Sequence, residues 1–253
     1  MINARALDGL PEISPGDDLA ALIVEAVRNA GAADDLADGA VLVIAHKVVS
    51  KAEGRIRALS DITPSRRAVG LATRLDKDPR FVEVILTESS EVLRAEHGVL
   101  ICVTHHGFVC ANAGVDASNV PGADTVVVLP ENPDRSARDL RQALRRQTGA
   151  TCGIVITDSF GRAWRNGQVD VAIGCAGVEP LDDWRGREDA HGRELRATVI
   201  AAADELAAAA DLVRAKDLSR PAVLITGAGR YLTDADGPGA QALIRPQSRD
   251  LFR

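Results

Sequence analysis

The chain has 253 residues, of which 46% are hydrophobic and 26% charged, and its formal net charge is -6. That length can bury a substantial core as one large domain or two small ones, and the acidic balance excludes nucleic acid and anionic membrane as principal partners. No apolar run is long enough to cross a bilayer, and residues 1–10 carry neither a basic leader nor a signal-like apolar stretch, so a cytoplasmic protein without membrane contact is expected. Cys102, Cys110, Cys152 and Cys175 all sit in apolar runs and form no CxxC pair. Buried free thiols are expected, not disulfides or a zinc site.

In chain order, Leu19, Leu22, Ile23, Ala26 and Val27 recur at helical spacing, which predicts a helix capped by Asp17 or Asp18 and ended by Gly31. The unbroken apolar run Val41–Ala45 predicts a buried strand. It feeds into His46-Lys47-Val48-Val49-Ser50-Lys51, where two lysines and a serine look like phosphate contacts, although a solvated basic turn is the plainer reading. Helical patterns cover residues 65–75 and 79–88. Apolar runs at 99–104 and 108–111, split by His105-His106-Gly107, predict a hairpin with the histidines as turn residues. A strand at 125–129 and a helix at 133–147 follow, with Asp134 near the helix start and Gly149 past its end. Residues 153–156 and 171–176 read as a strand and its return, 182–189 as a charged loop, 198–216 as an alanine-rich helix and 221–225 as a last strand. Strands joined sometimes by helices and sometimes by tight turns imply a mixed α+β architecture.

The densest chemistry lies between the last two of those central strands. Asp158 and Ser159 offer hard oxygens to a divalent cation, and Arg162 and Arg165 offer planar forks to phosphate or carboxylate. A metal-assisted site for an anionic substrate is expected, the alternative being a polar turn closed by an Arg–Asp pair. Trp164 and Trp184, in polar surroundings, are candidate ligand-facing rings. Asp116 with Asn119 repeats the pattern after another apolar run. If Asp116 and Asp158 converge, they would hold magnesium or manganese against phosphate oxygens; otherwise each caps a local turn. No GxxxxGK[ST] is present, and Gly227-Ala228-Gly229 starts a dinucleotide fingerprint that fails at Leu232. A nicotinamide-dependent oxidoreductase using that loop, and a non-catalytic nucleotide- or metal-binding protein, are the rival functions.

Taken together, Leu10-Pro11-Glu12-Ile13, the segment from Lys47 to Gly54, His106-Gly107-Phe108 through Asp116 with Ser118-Asn119, and Ile156-Thr157-Asp158-Ser159-Phe160-Gly161-Arg162 with Trp164-Arg165-Asn166-Gly167-Gln168 resemble the coenzyme F-420:L-glutamate ligase family. Order and spacing agree over nearly the whole chain, down to Asp250-Leu251-Phe252. The resemblance implies an α+β fold of mixed, largely antiparallel β-sheets with flanking helices, specific to the family and neither P-loop nor Rossmann. It implies a single ligase unit over residues 1–253, with two intertwined subdomains as a variant. The implied activity is GTP-dependent addition of L-glutamate to coenzyme F-420-0, then extension of a γ-linked poly-glutamate tail. An acyl-phosphate intermediate, Mg2+ or Mn2+, K+ and a homodimer accompany it. By position, Leu10, Pro11, Glu12, Ile13, His46, Lys51 and Asn119 would contact GTP, and Asp116, Asp158 and Ser159 would hold the metals. Arg162 or Arg165 would clamp a substrate phosphate or carboxylate. Position 159 is Ser where the family often has Thr, which keeps the hydroxyl; position 46 is His where Gln or Ser is usual, and Thr226 stands where an Arg is common.

Overall fold

A computed structural model describes residues 1–37, 39–118, 124–215 and 217–251. In chain order its elements are β1 (Asn3–Leu7), α1 (Leu19–Asn29), α2 (Ala33–Ala37), β2 (Val41–Ala45), α3 (His46–Ala52), β3 (Ile56–Ala58), α4 (Arg66–Leu75), α5 (Pro79–Thr87), β4 (Ser89–Glu96), β5 (Val99–Thr104), β6 (Val109–Ala111), β7 (Thr125–Val127), α6 (Pro133–Thr148), β8 (Gly153–Arg162), β9 (Arg165–Ala176), β10 (Asp182–Asp183), β11 (Val199–Ile200), α7 (Ala202–Arg214) and β12 (Ala222–Thr226). Local chemistry explains the helix ends. Asp18 accepts from the Ala21 amide at the start of α1, Ser65 from Ala68 at α4, Asp78 from Arg80 at α5 and Asn132 from Arg135 at α6. Gly149 closes α6 in the left-handed region at φ 75° with no heavy atom near its missing side chain. Gly149→Ala is therefore expected to cost only the backbone strain, roughly 1 kcal/mol, seen as a lower urea midpoint at unchanged slope.

The central sheet runs β1-β12-β2-β8-β9, with β2 and β8 parallel and every other neighbouring pair antiparallel. Its middle strands are buried on both faces, which is why they read as unbroken apolar runs. Strand period then sorts their side chains. Leu42, Ile44, Ile154 and Ile156 pack with residues of α1 and α6, while Val41, Val43 and Val155 pack with the alanine-rich face of α7. A third apolar cluster gathers α4, α5, β5 and β7, beside the antiparallel sheet β4-β5-β6 and the β3-β7 pair. The architecture is thus mixed α+β with mostly antiparallel pairing. No helix among the described residues is long and apolar enough to cross a membrane.

Several expectations change. β1, β3 and β4 carry no strong apolar run: only Leu7 of β1 is buried, and β4 is interrupted by two register shifts against β5. The basic segment after β2 is the helix α3, not a solvated turn. Residues 157–170 are not a loop. β8 and β9 continue through them as a long hairpin paired from Ile154↔Ala176 to Arg162↔Arg165. Trp164, at its tip, has φ 58° and is 80% exposed. Trp184 stacks beneath the guanidinium groups of Arg187 and Arg230, and Arg230 in turn pairs with Asp182. Gly227 packs against the start of the chain, where any side chain would run into the Met1 carbonyl, and a single 3-10 turn (Gly229–Tyr231) follows it instead of a helix. That segment has no helix N-terminus to receive a pyrophosphate. All four cysteines are free and buried; burial pushes the Cys152 thiol up to about 11 and the Cys175 thiol to about 12.

Candidate active site

The parallel pair β2 and β8 delivers Ala45 and Thr157 side by side at the same end of the sheet. There the chain turns into α3 on one strand and presents Asp158 and Ser159 on the other. The carboxyl end of a parallel pair is where such sheets commonly open a ligand crevice. A cleft of about 950 Å³ lies there, a size suited to a small ligand.

Side-chain alternation along β8 splits the polar groups between two walls. Asp158 follows Ile154 and Ile156 toward α3, and its Oδ1 lies 3.3 Å from Nε2 of the buried His46. The two are not aligned as a hydrogen bond, and His46 Nε2 is buried without a hydrogen-bond partner among the described residues. The Ser159 amide donates to Asp158 Oδ1 at 2.8 Å, fixing the carboxylate. Thr157 and Ser159 face the other way, toward α7. Their hydroxyls donate to Asp170 Oδ2 at 2.9 Å and Oδ1 at 2.6 Å. Arg214, the last residue of α7, pairs with Asp170 Oδ2 at 2.6 Å, and its Nε and second terminal nitrogen are buried with no hydrogen-bond partner among the described residues. Just beyond it, Ala215 and Ser219 line the cleft with φ 53° and 52°, strained backbone of the kind that gathers at functional sites.

The opposite rim comes from α3 and the segment after β6. Lys47 Nζ reaches Asp116 Oδ2 at 2.6 Å and Ser118 Oγ at 2.7 Å. Burial would raise the Asp116 carboxyl, but the Lys47 ammonium and the Ser118 donors outweigh it and hold the acid below its usual range. Lys51, 5% exposed, pairs with Glu12 at 2.5 Å.

The structure therefore brings together Leu10, Pro11, Glu12, Ile13, His46, Lys51, Asp116, Asp158 and Ser159, all of which line this cleft. Arg162 and Arg165 are not among its lining residues. They lie on the exposed end of the β8–β9 hairpin, where Arg162 donates to the Asn166 carbonyl at 2.6 Å. Asn119 lies outside the described residues. Gly227-Ala228-Gly229 does not line the cleft either. Gln168, the end of the Trp164–Gln168 motif, does line it, and sequence reasoning missed Asp170, Arg214 and Arg220, which also do. Asp170 becomes visible only once the hairpin register sets it opposite Ser159. Arg214 reads in sequence as an ordinary cation in the last turn of a helix.

Two carboxylates and a hydroxyl, Asp116, Asp158 and Ser159, line the cleft from different walls, and their oxygens are of the donor chemistry that hard divalent cations take. Among the described residues no group of three His, Cys, Asp or Glu forms a cage by itself. Such a set suits Mg2+ or Mn2+, whose remaining positions are commonly filled by water and substrate phosphate oxygens.

Residues 9–227 match the family model described as F420-0:Gamma-glutamyl ligase. The chain is 50% identical over 244 residues to the coenzyme F420:L-glutamate ligase of Methanopyrus kandleri, covering 96% of this chain and 94% of that protein. It is 45% identical over 253 residues to the protein of that name from Methanothermobacter thermautotrophicus, covering 100% and 99%. The one from Haloarcula marismortui is 42% identical over 263 residues, covering 98% and 94%. With likeness of that degree along nearly its whole length, the chain belongs to the F420-0:gamma-glutamyl ligase family of enzymes.

Proposed function

We propose that this protein is a GTP-dependent ligase that adds L-glutamate to coenzyme F-420-0 and then extends a γ-linked tail, working in the cytoplasm as a homodimer. The observation that carries the reading is the convergence, in one cleft, of Asp116, Asp158 and Ser159 with Lys47, Lys51 and the buried Arg214. Oxygen ligands for cations beside fixed positive charge are what a nucleoside triphosphate requires.

The chemistry needs activation because a carboxylate offers an amine no leaving group better than oxide. A substrate carboxylate oxygen attacks the γ-phosphorus of GTP, and GDP departs with the electrons of the broken P–O bond. The glutamate amine then attacks the acyl carbon and expels inorganic phosphate, with loss of the amine proton. In this reading Leu10, Pro11, Glu12, Ile13, His46, Lys51 and Asn119 seat the nucleotide. Asp116, Asp158 and Ser159 would hold Mg2+ or Mn2+, with K+ as a further cation, and Lys47, which pairs with Asp116 here, would reach phosphate oxygens from the same rim. The bound divalent metal would offset phosphate charge and polarise the transferring group. Arg162 and Arg165, outside the cleft but on the hairpin that carries Ser159, suit a grip on the polyanionic tail of an elongating product.

The test is product analysis by mass spectrometry. With F-420-0, glutamate, GTP and Mn2+, products heavier by successive glutamyl units should appear, with one GDP and one phosphate released per unit. Glutamate addition without nucleotide turnover, or GTP binding with no GDP released when both substrates are present, would overturn the proposal.

A further inference from the structure

We infer that Asp170 is a positioning residue that accepts the hydrogen bond of the Ser159 hydroxyl, so that the Ser159 oxygen turns its lone pairs, not its hydrogen, to the cleft. This rests on the reading of Ser159 as a cation ligand.

The hairpin register sets Asp170 directly opposite Ser159. Ser159 Oγ stands 2.6 Å from Asp170 Oδ1, within the short range of a hydroxyl donating to a charged oxygen. A carboxylate has no proton to offer, so the direction of this bond is fixed: serine donates. Asp170 is 1% exposed, and its charge is held by Arg214 and by the Thr157 hydroxyl, both on Oδ2. Ser159 meets the other oxygen, Oδ1. A hydroxyl that ligates a cation must point its hydrogen away from it, and a rotating serine would spend part of its time with the hydrogen toward the metal. Asp170 removes that freedom. An amide in its place could donate to Ser159 instead, sending the hydroxyl hydrogen into the cleft.

The measurement is Mn2+ affinity of the full chain with GDP present, followed by the electron-paramagnetic-resonance signal of free Mn2+, beside a thermal melt. Asp170→Asn is expected to weaken Mn2+ binding about 10–100-fold, the range for a group that orients a ligand. Ser159→Ala should weaken it comparably, and Asp170→Asn added to Ser159→Ala should weaken it no further. Losses that multiply in the double variant would mean that Asp170 acts on the cation directly or only through the fold, and would overturn the inference. A lowered melting temperature with wild-type Mn2+ affinity would do the same. If Asp170→Asn does not fold, Asp170→Asn with Arg214→Met removes the stranded guanidinium and should bind Mn2+ as weakly as Ser159→Ala; wild-type affinity there overturns the inference. A wild-type chain that takes up no Mn2+ overturns the cation reading itself, a different failure from uptake with multiplying losses.

Discussion

Asp158→Ala is expected to lower GDP release in the complete reaction by about 10³-fold or more, close to 4 kcal/mol of transition-state stabilisation, while the protein stays folded. The carboxylate ends the buried part of β8 and turns into the cleft with its side chain 15% exposed. Among the described residues its one hydrogen bond comes from the next residue's own amide, and its one link to another element is the 3.3 Å approach to His46, which is not aligned as a hydrogen bond. Truncation should therefore cost stability no more than an ordinary partly exposed substitution, about 1 kcal/mol. Charge is what the site loses. Asp158→Asn keeps the shape and removes the charge, and it should fall nearly as far as the alanine variant. Steady-state GDP release together with a thermal melt separates the two quantities. An Asp158→Ala enzyme within tenfold of wild type would end the assignment of this acid to phosphoryl transfer.

How much of this could be read before folding depends on the range of the interactions concerned. The helices and central strands were legible because their signals are local. Asp18, Ser65 and Gly149 act within one turn of their own helices, and Val41–Ala45 announces a strand buried on both faces. The site was legible where each acid follows its own apolar strand, as Asp116 and Asp158 do. That the two share a cleft is a long-range fact. So is the Asp170–Arg214 pair, 44 residues apart, which depends on where α7 crosses the sheet. The edge strand β1 hid for a different reason: its five residues alternate, but two of the three inward side chains are alanines and only Leu7 is fully buried, so the signal is short and weak. Residues 157–170 misled because polar strands are rare. Here a cleft at the end of the sheet lets β8 and β9 carry Asp158, Ser159 and Gln168 at its wall, while the buried Asp170 is met by Thr157, Ser159 and Arg214.

The largest stability loss is expected from a residue that touches no substrate. Asp134, in the first turn of α6 and 6% exposed, accepts the Cys175 amide at 2.9 Å and the Ala240 amide at 2.7 Å through one oxygen. β9 is the outer strand of its sheet, so the Cys175 N–H has no neighbouring strand to receive it, although the segment is buried. A buried amide without a partner is a cost the fold avoids, and Asp134 stands in for the missing strand. Its carboxylate also favours the N-terminal end of the α6 dipole. The neighbours are shaped to let it approach: a side chain at Gly174 would run into the Pro133 backbone, and one at Gly239 into the Asp134 carboxylate. Asp134→Ala strands two buried amides at about 1–3 kcal/mol each and gives up the dipole contribution, for a total of about 3–5 kcal/mol. For a chain of this size that lowers the melting temperature by about 10 °C. Asp134→Asn keeps an acceptor oxygen in place and should lose less than half as much, with Mn2+ affinity unchanged in both variants. An alanine variant melting within about 2 °C of wild type would mean that water replaces the carboxylate at both amides, and that β9 does not depend on α6 to close its edge.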